Sequence, residues 1–263
     1  MSLKDKIIAF DLDGTLARNN AVPSDYTFKE LARLVSEGYK ITFVTGRAII
    51  SSIDIYQKAK ANIPYVCCYG SLIYDPINNR KIIENNIPLE LVNKILDNQQ
   101  LMDKVDDILA EYDFTSYAHT GKIYQGAMIK GNLKDNLKIA PSTFVFYLKN
   151  HDDQLFFKET IEKMTDNYKY QYWHYQAELS NVVCNKTFGT AKLLEYLNKN
   201  FEDLVYFGDS SPDLPLIEKA SIGIAMKNAC QEIKDAADYV TDYSNDEDGA
   251  IKFLLKLIEQ ENG

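Results

Sequence analysis

The 263-residue chain has no apolar run near the eighteen or so residues that a membrane-spanning helix requires. It begins Met1-Ser2-Leu3-Lys4-Asp5-Lys6 and passes straight into a short apolar segment without a secretory pattern, so a cytoplasmic location is expected. A basic excess is missing as well: 29 Lys and Arg stand against 38 Asp and Glu, a formal charge of −9. With no basic face to neutralise a phosphate backbone, a nucleic-acid partner is not expected. An anionic ligand would need a local cation or an Arg/Lys pocket to reverse the long-range field. Cys67, Cys68, Cys184 and Cys230 form no CxxC, which argues for reduced thiols. His119, His151 and His174 show no metal-ligand spacing. Internal repeats and low-complexity linkers are also lacking, and no feature indicates an oligomeric state.

What is present is an alternation of strand and helix. Lys6-Ile7-Ile8-Ala9-Phe10 reads as a short buried strand ending at the turn residues Asp13-Gly14. A helix follows from about Ser24, a good N-cap, to Gly38, with Phe28, Leu31, Leu34 and Val35 on one face. A strand at Ile41–Val44, a helix over about Ala48–Ala61 and a strand at Tyr65–Cys68 complete a βαβαβ unit, which implies a parallel sheet covered on both faces.

From about Ile83 to Val183 the pattern changes. Helices are expected near Leu89–Asn98 and Leu101–Ala110, then tyrosine-rich strands at Phe144–Leu148 and Tyr170–Tyr175, with a helix at about Gln154–Thr165 between them. The last third returns to α/β, with a helix over Thr190–Asn200, a strand at Leu204–Phe207 and a helix over Pro212–Lys219. A strand at Ser221–Ala225, a helix at Ala229–Ala237, a strand at Asp238–Thr241 and a terminal helix from about Asp248 follow. The expected fold is therefore α/β: a Rossmann-like parallel sheet core, residues 1–82 and 184–263, with an α+β domain inserted at 83–183.

Polar residues stand where strands end. Asp11 and Asp13 are two apart, so in extended chain both carboxylates face one side, at the sheet edge where open α/β folds bind ligands. Two close carboxylates share a proton or bind a cation. An acidic turn is the bland alternative, and a calcium loop fails because no glutamate stands at its required end position. Thr45-Gly46-Arg47 opens a helix with a hydroxyl, amides and a guanidinium suited to phosphate. Gly208-Asp209-Ser210-Ser211-Pro212-Asp213 places two carboxylates beside a helix N-terminus, suited to a hard cation such as Mg²⁺. Lys186 brings a positive charge. Taken singly, Arg47 can be a solvated helix residue, Lys186 a surface lysine and Asp213 a first-turn charge. Their joint appearance at successive strand ends is what points to a site.

With these motifs the sequence resembles the haloacid dehalogenase-like superfamily, and within it the Cof-type phosphatases. Asp11-Leu12-Asp13-Gly14-Thr15, Thr45-Gly46-Arg47 and Gly208–Asp213 carry the resemblance, and the segments Ile224–Ala229 and Ser244–Gly249 follow the same pattern. The family lysine has two candidates, Lys186 and Lys192; an ungapped match of Glu195-Tyr196-Leu197 selects Lys186. The segment Gly208–Asp213 has Pro212 where the family usually has Asn, and Tyr69-Gly70 replaces a common Asn-Gly.

The resemblance implies a Mg²⁺-dependent phosphatase acting on a small phosphorylated metabolite, a sugar phosphate first. Asp11 would be the nucleophile and Asp13 the general acid/base. Thr45, Gly46, Arg47, Lys186 and Asn228 would bind phosphate, and Asp11, the Asp13 carbonyl, Asp209 and Asp213 would hold the metal. The inserted domain would read the leaving group; its aromatics Tyr124, Tyr147, Tyr172, Trp173 and Tyr175 either stack on a ring or pack the small sheet. A phosphomutase of the same superfamily and a catalytically silent phospho-ligand-binding protein remain as alternatives.

Overall fold

A computed structural model describes residues 2–173 and 176–262 of the chain. His174 and Tyr175 therefore lie outside the described residues, as do the side chains of Tyr172 and Trp173. The chain divides into two compact units: residues 1–46, 52–82 and 185–263, and residues 47–51 with 83–184. No helix among the described residues is long and apolar enough to cross a membrane.

The first unit is built on a five-stranded sheet, in the order Tyr239–Val240, Ile222–Ala225, Leu204–Gly208, Ile7–Phe10, Lys40–Phe43, with every neighbouring pair parallel. Ile7–Phe10 and Leu204–Gly208 are buried along their whole length, which is why they read as continuous apolar runs. Register places Phe10 opposite both Phe207 and Phe43, and the Phe10 and Phe207 rings stack at 4.7 Å. A fully buried side chain of this size stabilises by about 1.5–3 kcal/mol. Because these three phenylalanines are level, Asp11, the Gly208-Asp209 step and Thr45 leave the sheet along one edge.

The helix Asp25–Ser36 starts where expected, with the Ser24 hydroxyl accepting from the Thr27 amide at 3.0 Å. Tyr65–Cys67 departs from the βαβαβ expectation. A single parallel bridge, Val44 to Val66, joins it to the main sheet, and it then pairs antiparallel with Leu72–Asp75. The chain reverses between them through Cys68, Tyr69 and Gly70, whose φ values are +50°, +51° and +91°.

The second unit carries a six-stranded sheet, in the order Tyr168–Trp173, Gln176–Asn181, Thr143–Leu148, Val105–Tyr112, Thr115–Ala118, Ile129–Lys130. Its core gathers Leu91, Ile95, Ile108, Phe144, Phe146, Phe157 and Ile161 from the sheet and the helices Leu89–Leu96 and Gln154–Met164. The helix expected over Leu101–Ala110 is not there: a short helix, Gln99–Met102, gives way to the strand Val105–Tyr112. The register shifts between Val105 and Asp107. That irregularity breaks the period of two and leaves apolar residues at 101, 105 and 108, a helical spacing.

A second correction concerns Lys186. Its helix runs Lys186–Tyr196 and not from Thr190, because Asn185 caps it, accepting from the Phe188 amide at 2.8 Å. Gly189 sits inside this helix, where the lack of a side chain allows close packing. A Cβ there would lie 2.6 Å from the Gly70 Cα and 2.5 Å from Val66.

Candidate active site

Asp11 follows the first strand directly, its amide donating to the Phe207 carbonyl at 2.9 Å, and its carboxylate is buried. From the capped start of its helix, buried Lys186 extends Nζ to 2.6 Å from Asp11 Oδ1 and 2.7 Å from Asp213 Oδ1. Lys192, by contrast, is a half-buried residue paired with exposed Glu195 on the same helix. The two sequence candidates are thus separated by position: one is in the carboxylate cluster, the other on the surface.

Asp213 is held by five groups. Its Oδ1 accepts from Lys186 Nζ and from the Tyr206 hydroxyl at 2.6 Å; its Oδ2 accepts from the Asp209 amide at 3.2 Å, the Ser210 amide at 3.0 Å and the Ser210 hydroxyl at 2.9 Å. The turn Ser211–Asp213 is a 3-10 turn before the helix Leu214–Lys219, and Pro212 sits at its start, where no amide hydrogen is needed. Asp209 accepts from the Thr15 hydroxyl at 3.0 Å. Gly14 has φ +78°, and a Cβ on it would lie 2.3 Å from Asp209 Oδ2, so only glycine allows the two turns to meet.

One carboxylate oxygen each from Asp11, Asp209 and Asp213 lies within 4.8 Å of the others. Burial pushes Asp11 up from its ordinary value; the Lys186 charge opposes this and the Asp213 charge adds to it. Burial likewise pushes Asp209 up to about 6, with Asp213 adding. Burial alone would drive the Lys186 ammonium down, but Asp11 and Asp213 outweigh it and hold it above its usual value. Burial would raise Asp213 too, yet Lys186, Tyr206 and Ser210 bring it below the ordinary range. One ammonium among three carboxylates leaves negative charge in excess. An all-oxygen donor set of this kind suits a hard divalent cation.

The remaining expected residues are placed as follows. Asp13 is exposed, one turn beyond Asp11, with its backbone bridged to Ala17. Thr45 is fully buried, its amide donating to the Val66 carbonyl at 2.9 Å. Gly46 faces the Tyr69 ring, where a Cβ would come within 2.4 Å. Arg47 belongs to the second unit, where Nη1 donates to the Ser51 carbonyl at 3.3 Å. Asn228 donates to the Gly14 carbonyl at 2.7 Å and accepts from the Asn245 amide at 3.0 Å.

Tyr206 escaped the sequence reading, and Ser210, Tyr69 and Asn245, though they lie in segments quoted there, were given no role. Tyr206 carried a signal, since a tyrosine in a buried parallel strand must find a partner for its hydroxyl. The other three lie in recognisable segments, but their roles depend on a contact far away in the chain or on the shape of the turn.

A family profile described as haloacid dehalogenase-like hydrolase matches residues 8–254. The chain is 26% identical over 266 residues to the 5-amino-6-(5-phospho-D-ribitylamino)uracil phosphatase YitU of Bacillus subtilis, covering 97% of this chain and 98% of that one. It is 25% identical over 259 residues to the pyridoxal phosphate phosphatase YbhA of Escherichia coli, covering 89% and 92%. Among solved structures, a haloacid dehalogenase-like hydrolase from Bacteroides thetaiotaomicron superposes with a TM-score of 0.87 at 21% identity, covering 96% and 99% of the two chains, which establishes a shared fold.

Proposed function

The chain belongs to the haloacid dehalogenase-like hydrolases, and from that premise we propose that it is a phosphatase that hydrolyses a small phosphorylated metabolite through a phosphorylated Asp11. The observation that carries this reading is the Lys186 ammonium between Asp11 and Asp213, beside Asp209, at the ends of adjacent parallel strands. Two relatives of nearly full coverage bear the names of phosphatases acting on small phosphomonoesters, a ribityl phosphate and pyridoxal phosphate, which supports the substrate class.

Each residue has a role that follows from its position. Asp11 Oδ attacks phosphorus, and the alcohol oxygen leaves with its bonding electron pair. Asp13, exposed on the same loop, gives the departing oxygen a proton and later takes one from the water that cleaves the acyl phosphate. Lys186 favours the ionised form of Asp11 against the effect of burial and offsets phosphoryl charge, and Thr45 with the Gly46 amide lines the phosphate position. The Asp11 and Asp209 carboxylates and the Asp13 carbonyl would hold Mg²⁺. Asp213 supports them from behind, because both its oxygens already accept hydrogen bonds. The bound cation supplies charge neutralisation that lets an anionic nucleophile approach an anionic ester. Substrate choice is assigned to the inserted unit, since the core residues are all taken up with phosphate and cation chemistry.

The test is release of inorganic phosphate from p-nitrophenyl phosphate and from a panel of phosphorylated metabolites, with Mg²⁺ and with EDTA. Metal-dependent release is expected on both. A protein that binds these esters without turnover would overturn the reading.

A further inference from the structure

Two elements of the phosphate position meet at one turn. Cys68, Tyr69 and Gly70 all have positive φ, +50°, +51° and +91°. On one side of the turn the Tyr69 amide donates to the Thr45 carbonyl at 3.2 Å, and the Tyr69 ring lies against Gly46. A Cβ on Gly46 would be 2.6 Å from Tyr69 Cε2 and 2.8 Å from Cε1, with Cζ nearer still. On the other side, a Cβ on Gly70 would run into the carbonyl of Asn185, the cap of the Lys186 helix. It would also stand 3.1 Å from the Gly189 amide nitrogen in that helix. The turn is thus wedged between the Thr45-Gly46 step and the start of the helix that carries Lys186.

Gly70 suits its place, because glycine enters the left-handed region freely and leaves room for Asn185. Tyr69 does not suit its place by the same rule. A bulky residue at φ +51° is an outlier, and asparagine takes that conformation with less strain. Burial is a poor account of the ring as well: Tyr69 is half-buried, whereas Cys68 and Gly70 on either side are buried. Strained residues persist where their surroundings over-determine them, and they cluster at ligand sites. Here the ring is the part of the turn that bears on Gly46, a residue with no side chain to fix its own backbone.

We propose that Tyr69 is a positioning residue for phosphoryl binding, its ring bracing Gly46 and so setting the Thr45-Gly46 step against Lys186. The inference rests on the reading of Thr45 and the Gly46 amide as phosphate-binding groups. An amide holds an anion well only when its direction is fixed in advance. The ring fills the space into which the Gly46 backbone would otherwise relax.

The experiment measures kcat and KM for p-nitrophenyl phosphate with Mg²⁺, the inhibition constant of inorganic phosphate, and the melting temperature. Tyr69→Phe, Tyr69→Asn, Gly46→Ala, Tyr69→Asn combined with Gly46→Ala, and Thr45→Ala are compared with the native chain, well below their melting temperatures. Tyr69→Asn keeps a residue that tolerates the turn but removes the ring. It should raise KM and the phosphate inhibition constant together by roughly 10-fold, about what one hydrogen bond to a charged group is worth, with a smaller fall in kcat. Tyr69→Phe keeps the ring and should match the native chain. Gly46→Ala should weaken phosphate binding because its methyl group meets the ring, and it should cost little more in the Tyr69→Asn background.

An unchanged phosphate inhibition constant in Tyr69→Asn, whatever its melting temperature, would make the ring a packing element and overturn the proposal. Additive losses in the double variant would overturn it too. So would a loss in Tyr69→Phe equal to that in Tyr69→Asn, which would put the hydroxyl and not the ring to work. Phosphate inhibition unmoved by Thr45→Ala would bring down the assignment of the loop itself, and the proposal with it.

Discussion

Lys186 Nζ stands 2.6 Å from Asp11 Oδ1, and both side chains are almost wholly buried. The pair joins the first turn of one helix to the end of a strand 175 positions earlier in the chain, and Asp213 at 2.7 Å completes a triad. Burying an ammonium is tolerable here only because two carboxylates receive it.

Lys186→Met is expected to lower kcat by on the order of 10²-fold or more, as loss of a charge-stabilising donor does elsewhere. It should also destabilise the fold by about 3–5 kcal/mol, since Asp11 and Asp213 are left buried and uncompensated. Steady-state kinetics and urea denaturation measure the two effects separately. Asp11→Asn should abolish turnover outright, and a variant retaining substantial activity would sink the nucleophile assignment.

Tyr206→Phe removes one of the donors to Asp213 and leaves the others in place. The stability cost should be close to that of a single hydrogen bond to a charged group, about 1.5–3 kcal/mol. Turnover should fall by several-fold and not by orders of magnitude. A loss as large as that of Lys186→Met would mean that Tyr206 touches the reacting atoms.

Gly189→Ala puts a methyl group 2.6 Å from the Gly70 Cα. Backbone cannot yield as a flexible side chain does, so the helix must shift, at about 1–3 kcal/mol. Lys186 starts this helix, and activity should therefore drop together with the melting temperature. A variant that melts earlier yet retains the native kcat would show that Lys186 is not positioned by that packing.

Glu178, buried in the sheet of the second unit, is pushed up to about 8 by burial, with the charge of Glu111 adding. In the unfolded chain it ionises near its ordinary value of 4.5, so between about pH 4.5 and 8 the folded state binds the extra proton. Stability therefore falls as pH rises through that window, by up to about 1.4 kcal/mol per unit. Glu178→Gln should remove this slope: the variant should be more stable than the native chain at pH 8, on the order of a few kcal/mol, with the gap closing toward pH 5. Parallel pH–stability curves for the two proteins would contradict it.

Much of this was legible in advance where the signal was local. The strand Ile7–Phe10 and the Ser24 cap depend on neighbours in the chain, and periodicity and capping rules read them directly. The strand Val105–Tyr112 was misread because an irregularity at Asp106 alters the side-chain alternation on which strand reading depends. The Lys186 helix starts earlier than expected, and the close approach that admits Gly189 into it involves Gly70, far away in the chain.

The sequence by itself determined the chemistry on offer: Asp11 and Asp13 at one strand end, Thr45 at another, Asp209 and Asp213 at a third. Order along an alternating strand–helix chain is enough to bring strand ends to one sheet edge. Tertiary structure alone decided between Lys186 and Lys192, and it brought Tyr206 to Asp213 and Asn228 to Gly14. Those outcomes turn on distances of a few ångströms between residues far apart in the chain. Such distances are set by how the sheet registers, the helices pack and the glycines let backbones approach, which no short window of sequence contains.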